Sequence, residues 1–238
     1  MTLLLIIAAT ALSCSTDTSE FNDAQGKNST QYNTARIYEM SPSNLVNQYD
    51  EAGRVHNKLL ANYLNSTHAT ATLPSIVSAI EALAAQDTDF AALSTQSYVP
   101  ITTGQAYLIS QNNVQDVLTS GSLSSAGTSS IETFFNLMVS FQSQNENYPA
   151  IYEAITVYED SVISNTGLNN SDKKIILTTT SIARYAAYYS RQDGKGKDKD
   201  WRLSVGNIVN ASSGASEGMA KAVTMSLCNG LNNARLNQ

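Results

Sequence analysis

From Leu45 onward, apolar residues return at every third or fourth position, and this spacing directs the chain to pack as α-helices. Leu45, Tyr49, Ala52, His56, Leu59, Leu60 and Tyr63 mark one face of a first helix running to Leu64. Ser41 is its expected cap and Pro42 its first helical residue. Pro74 opens a second helix with Ile76, Val77, Ile80, Leu83 and Ala84 in line, extended or followed by Phe90 and Leu93. A third follows Pro100, carrying Tyr107, Leu108, Val114, Val117 and Leu118 and ending at Ser120-Gly121.

The pattern continues. Ile131, Phe134, Phe135, Met138 and Phe141 predict a helix capped by Ser129 or Ser130. Tyr148-Pro149 starts another with Ile151, Ile155, Tyr158, Val162 and Ile163, closed by Gly167. Asn170-Ser171-Asp172 caps a run holding Ile175, Ile176, Ile182, Tyr185 and Tyr189, weakened by the β-branched Thr178, Thr179 and Thr180. Trp201 to Asn233 reads as one last helix in which Gly206, Asn210, Gly214, Gly218, Ala222, Ser226 and Gly230 fall four apart. Glycine costs about 1 kcal/mol against alanine inside a helix, so such a stripe requires close approach of a neighbour. The expectation is an all-α fold: one compact domain of six or seven helices over residues 37–238.

What precedes the domain has a different character. Leu3 to Leu12 is apolar, Ser13 and Cys14 follow, and the chain then turns abruptly to Ser, Thr, Asp and Glu. A bilayer-spanning helix needs roughly 20 apolar residues. This shorter run fits the apolar region of a signal peptide. No Lys or Arg precedes it, which places the expected start of the chain upstream of Met1.

Two cleavage patterns are written into the segment. Ala11-Leu12-Ser13-Cys14 resembles the lipobox of bacterial lipoproteins, and Ala9-Thr10-Ala11 would serve as an ordinary cleavage site. The lipobox reading gives a signal peptide over 1–13, an acylated Cys14, and a flexible polar tether over 14–36. The chain is then exported and held to a membrane by its lipid, in the periplasm or at the cell surface. With Cys14 acylated, Cys228, the only other cysteine, is left to pack as a small hydrophobe.

Composition removes several classes of function. A net charge of -6 with no basic face argues against nucleic acid as a partner. Two histidines, His56 and His68, leave too few imidazoles for the usual zinc enzymes. Asp193, Asp198 and Asp200 lie in a glycine-bearing loop, but three lysines interleave and the ligand order of a calcium loop is missing, so no metal is expected. No sequence pattern calls for a cofactor. Tyrosines spread along the apolar stripes, Tyr107, Tyr158, Tyr185 and Tyr189 among them, read first as core with a polar tip; a carbohydrate or peptide groove is the alternative.

One constellation could carry chemistry. Tyr49, Asp50, Gly53, His56 and Asn57 bring a carboxylate, an imidazole and an amide to one edge of the first helix, with Gly53 admitting a close neighbour. Asp50 could orient His56 as a general base, in the manner of a hydrolase, or the five residues could hold a small polar ligand. Alternatively, His56 and Asn57 satisfy backbone groups where another helix crosses at Gly53.

The run from Asn47 to Asn57, the segment Lys173 to Arg184, and Asp198 to Gly206 leading into a Gly/Ser/Ala-rich end together resemble uncharacterised lipoproteins of Bacteroidota, especially flavobacteria. The resemblance spans most of the mature chain. It implies that Asp50, Gly53, His56 and Asn57 matter as a unit, and it carries no activity. The expected role is therefore non-catalytic: binding a protein or small molecule at the cell envelope. Two other readings are an enzyme using Asp50 and His56, and a membrane-active secreted antagonist inserting its glycine-rich last helix.

Overall fold

The computed structural model describes residues 41–66, 72–94, 97–111, 113–119, 122–144, 146–192 and 201–236. The expected signal peptide and tether, Cys14, His68 and residues 193–200 lie outside the described residues. Among those described there are ten helices and no strand. They are α1 (Asp50–Leu64), α2 (Leu73–Gln86), α3 (Thr88–Ala92), α4 (Thr103–Gln111), α5 (Val114–Thr119), α6 (Ser125–Gln144), α7 (Tyr148–Ser164), α8 (Asn170–Gln192), α9 (Trp201–Ala215) and α10 (Met219–Leu236).

The fold is all-α as expected, with more and shorter helices than the six or seven read from spacing. Each extra break has a local cause. The first helix starts at Asp50 rather than at Pro42, because two asparagines offer the backbone a competing partner. Asn44 Oδ1 accepts from Val46 N at 3.2 Å, and Asn47 Oδ1 accepts from Tyr49 N at 2.9 Å. Leu45, expected on the buried stripe, consequently points outward at 92 % exposure.

The third expected helix divides where Asn113 caps α5, its Oδ1 accepting from Gln115 N at 3.0 Å. Tyr107 and Leu108 turn outward while Ile109 is buried. Phe90 belongs to the separate α3, which Asp87 caps by accepting from the backbone of Asp89 and Phe90. The expected last helix is a helical hairpin. Gly218 has φ +147°, which L side chains rarely adopt, and α10 turns back there onto α9.

Two apolar clusters build the core. One gathers Val55, Leu59, Ile76, Ile80, Val223 and Leu227 from α1, α2 and α10. The other gathers Phe134, Met138, Ile151, Ile155 and their neighbours from α6 and α7. Helices α8 and α9 form the wall between them: Ile175, Ile182, Ala211 and Ala215 face the first, Ile176, Leu177, Ile208 and Val209 the second. A helix walled on both sides has no solvent face, and residues 175–187 of α8 and 220–230 of α10 are buried without interruption. No helix among the described residues is long and apolar enough to cross a membrane.

Candidate functional site

Asp50 opens α1, where the free backbone N–H groups of a helix start favour a negative side chain. Its carboxylate is engaged on both oxygens. Oδ1 accepts from Asn44 N at 3.2 Å and Arg184 Nη2 at 2.5 Å; Oδ2 accepts from Ser43 Oγ at 3.2 Å and Tyr185 OH at 3.0 Å. Arg184 arrives from the middle of α8 and is 0 % exposed.

Glu159 of α7 joins them, also fully buried. Its Oε1 accepts from Asn47 Nδ2 at 2.9 Å and Thr180 Oγ1 at 2.8 Å, its Oε2 from Asn44 Nδ2 at 2.7 Å. Arg184 Nε lies 3.4 Å from Oε2. Two carboxylates thus share one guanidinium and divide the remaining lone pairs among neutral donors, the arrangement that makes buried charge tolerable. Burial alone would lower the basicity of Arg184, but the charges of Glu159 and Asp50 outweigh it and hold the guanidinium above its ordinary value. Its carbon sits 5.5 Å from the ring centre of Tyr185 and 5.9 Å from that of Tyr152. Tyr185, buried and beside Asp50, has its hydroxyl pushed up to about 12.

The five sequence-selected residues therefore sort into two places. Asp50 belongs to the charge cluster, with Tyr49 half-buried just before it. Gly53, His56 and Asn57 lie where α1 crosses α8. A Cβ on Gly53 would stand 2.5 Å from Ser181 O and meet the Tyr185 ring. Gly53 N donates to Ser181 Oγ at 2.9 Å, and that hydroxyl donates to Asp50 O at 2.9 Å. Asn57 Nδ2 donates to Tyr185 O at 2.7 Å, leaving its Oδ1 for His56 Nδ1 at 3.1 Å.

Asp50 and His56 do not meet. Six residues along an α-helix turn the side chains about 120° apart, and none of Asp50's hydrogen bonds runs to the imidazole. His56 is 0 % exposed, and burial pulls its pKa down to about 4 against the opposing bond from Asn57. Its Nε2 has no hydrogen-bond partner in the described chain. The geometry is a clasp joining α1, α7 and α8, with every carboxylate oxygen occupied.

Glu159 and Ser181 carried no sequence signal. Arg184 carried one: it is the single charged residue between Lys174 and Arg191, on a helix apolar enough to be core. A second buried cation, Lys221, lies on α10, donating to Val99 O at 2.6 Å, Pro100 O at 3.1 Å and Gln105 Oε1 at 3.2 Å. Cys228, free and buried, has its thiol pushed up by burial. No group of His, Cys, Asp and Glu among the described residues could hold a metal ion. In comparisons with known proteins, no family model, curated protein or solved structure matches this chain.

Proposed function

We propose that this chain is an exported envelope lipoprotein of the flavobacterial type, acylated on Cys14, whose helical domain works by binding rather than by catalysis. It would sit in the periplasm or at the cell surface, with a protein or small molecule of the envelope as ligand. The observation that carries the non-catalytic reading is the state of the two residues best suited to acid–base work. Asp50 spends both oxygens on four donors, and His56 is sealed in the core without contact to it. A general base must reach the proton it abstracts; His56 is fully buried, and Asp50 is 8 % exposed with its oxygens already engaged.

Two experiments test this. Intact mass of the mature N-terminus should show a diacylglyceryl group on Cys14; an unmodified chain beginning at Leu12 would overturn the anchor. Diethyl pyrocarbonate, which acylates accessible imidazoles, should leave His56 unmodified in the native protein and modify it after denaturation. Rapid native modification of His56 would restore the enzyme reading.

A further inference from the structure

The charge cluster holds more than helices. Four of its hydrogen bonds come from the loop that leads into α1: Ser43 Oγ and Asn44 N donate to Asp50, and the Asn44 and Asn47 amides donate to Glu159. Two more fix the same loop, Asn47 Nδ2 donating to Leu177 O at 2.9 Å and Tyr152 OH donating to Ser43 O at 2.8 Å. Pinned on both sides, the loop projects Leu45 and Val46 into solvent at 92 % and 65 % exposure. Single exposed apolar residues are ordinary. An adjacent pair on a loop fastened to buried carboxylates is a fixed shape, and that shape presents them.

The surroundings say what such a pair suits. Residues 41–49 contain no charged side chain, and the first charge, Asp50, is turned inward. Charge is what the hydrocarbon interior of a bilayer rejects most strongly, while apolar side chains on a polar frame settle at shallow depth at the boundary between headgroups and acyl chains. In sequence the loop is the first described segment after Cys14, with Ser41 four residues ahead of Leu45.

We propose that the 43–49 loop docks the domain on the lipid surface that carries its anchor, Leu45 and Val46 entering the headgroup region. The proposal rests on the lipoprotein reading of Cys14. It assigns the buried Asp50–Arg184–Glu159 cluster a purpose, which is to hold that finger rigid and oriented.

The test uses the full acylated chain on phosphatidylcholine vesicles. Leu45→Cys is labelled with a polarity-sensitive fluorophore, Cys228 being sealed and Cys14 blocked by its thioether; Val139→Cys on α6 is the comparison. The expected result is blue-shifted emission at Leu45 and quenching by spin-labelled lipid several-fold stronger than at Val139. Water-like emission at Leu45, with no more quenching than at Val139, overturns the docking. A blue shift that grows with protein density and ignores the spin-labelled lipid marks contact between copies, and overturns it too. Mass at Cys14 separates the two ideas: without the diacylglyceryl group both fall, whereas an acylated chain with an unquenched Leu45 removes the docking alone.

Discussion

Helices α8 and α10 are both buried over many consecutive residues, yet they hold their neighbours by different physics. Helix α8 works through side chains. Thr180 and Arg184 reach Glu159 of α7, and Ser181 and Arg184 reach Asp50 of α1. Helix α10 works through proximity: a Cβ on Gly214 would stand 2.6 Å from Lys221 O and 2.7 Å from Ala222 N. Each helix carries a buried cation, but Arg184 faces two buried carboxylates, whereas Lys221 donates to three neutral oxygens and has only an exposed carboxylate, Glu217, 4.0 Å away. A charge paired with charge cannot be removed without stranding its partners. A charge paired with dipoles can.

The largest expected effect tests that statement on α8. Arg184→Met keeps the volume roughly and leaves Asp50 and Glu159 buried without their cation, which costs about 3–5 kcal/mol when one member of a buried ion pair is lost. Chemical denaturation should show the loss as a lower midpoint at unchanged slope. Adding Glu159→Gln to Arg184→Met should return part of it, giving a coupling of about 1–3 kcal/mol in the double-mutant cycle. Additive losses would mean that the cluster does not act as a unit.

Next comes the pH dependence of the α1–α8 crossing. An unfolded His56 titrates near its ordinary 6.5 and the folded one near 4. As pH falls through that window, the unfolded chain takes a proton that the folded chain refuses, so stability is lost on acidification. At 1.36 kcal/mol per unit the full loss is about 3 kcal/mol. Denaturation midpoints measured from pH 7 to pH 4 should fall, and His56→Gln should flatten the part of the slope that this residue supplies.

The uneven legibility of the sequence follows from the same contrast. Helices α6 and α7 were readable because Ile131, Phe134, Met138, Ile151 and Ile155 repeat along faces that are buried. Helix α8 reads as the weakest, since three consecutive threonines lower propensity; burial on both sides overrides propensity, and Thr179 returns its hydroxyl to Ile175 O of its own helix while Thr180 donates to Glu159. The four-residue stripe of small residues ran through Gly218 unbroken, although the chain reverses there.

The sequence pairs Asp50 with His56, six residues along the same helix, whereas its carboxylate bonds to Arg184 and Tyr185 of α8. Pairings over that distance leave no local trace. Asn44 gives no sequence signal and Asn47 reads only as the start of the polar run to Asn57, because their acceptor Glu159 lies more than a hundred residues away on α7, and so the loop reads as the start of a helix.

Glycine substitutions sharpen the comparison at smaller scale. Gly53→Ala and Gly214→Ala each force a methyl against backbone, and overpacking costs about 1–3 kcal/mol, offset by alanine's better helix propensity of up to about 1 kcal/mol. Gly53 should lose more. It lies within the crossing and its N–H donates to Ser181, a bond that is lost as well if α1 is pushed away, whereas Gly214 meets only the α10 backbone at Lys221 and Ala222. A paired measurement of thermal midpoints checks the order, and equal losses would show that side-chain hydrogen bonding adds nothing at the α8 contact.

The smallest effect belongs to Lys221. It is 4 % exposed, and burial lowers its pKa from the ordinary 10.5 against the attraction of Glu217 and Glu81. The folded chain therefore releases this proton before the unfolded chain does. Between the lowered value and 10.5 the unfolded state binds more protons, so stability rises with pH in that window and the lysine's charge is a burden rather than a support. Lys221→Met keeps an apolar stem of similar length and removes the charge, and with it the ammonium that lies 5.2 Å from the ring centre of Tyr98. Val99 O and Pro100 O lose a donor but strand no charge, and a net change within about 1 kcal/mol is expected. The variant should also lose the alkaline rise that the wild type shows below pH 10.5. A loss matching that of Arg184→Met would erase the distinction between the two helices, because it would mean that carbonyl dipoles hold a buried cation as indispensably as carboxylates do.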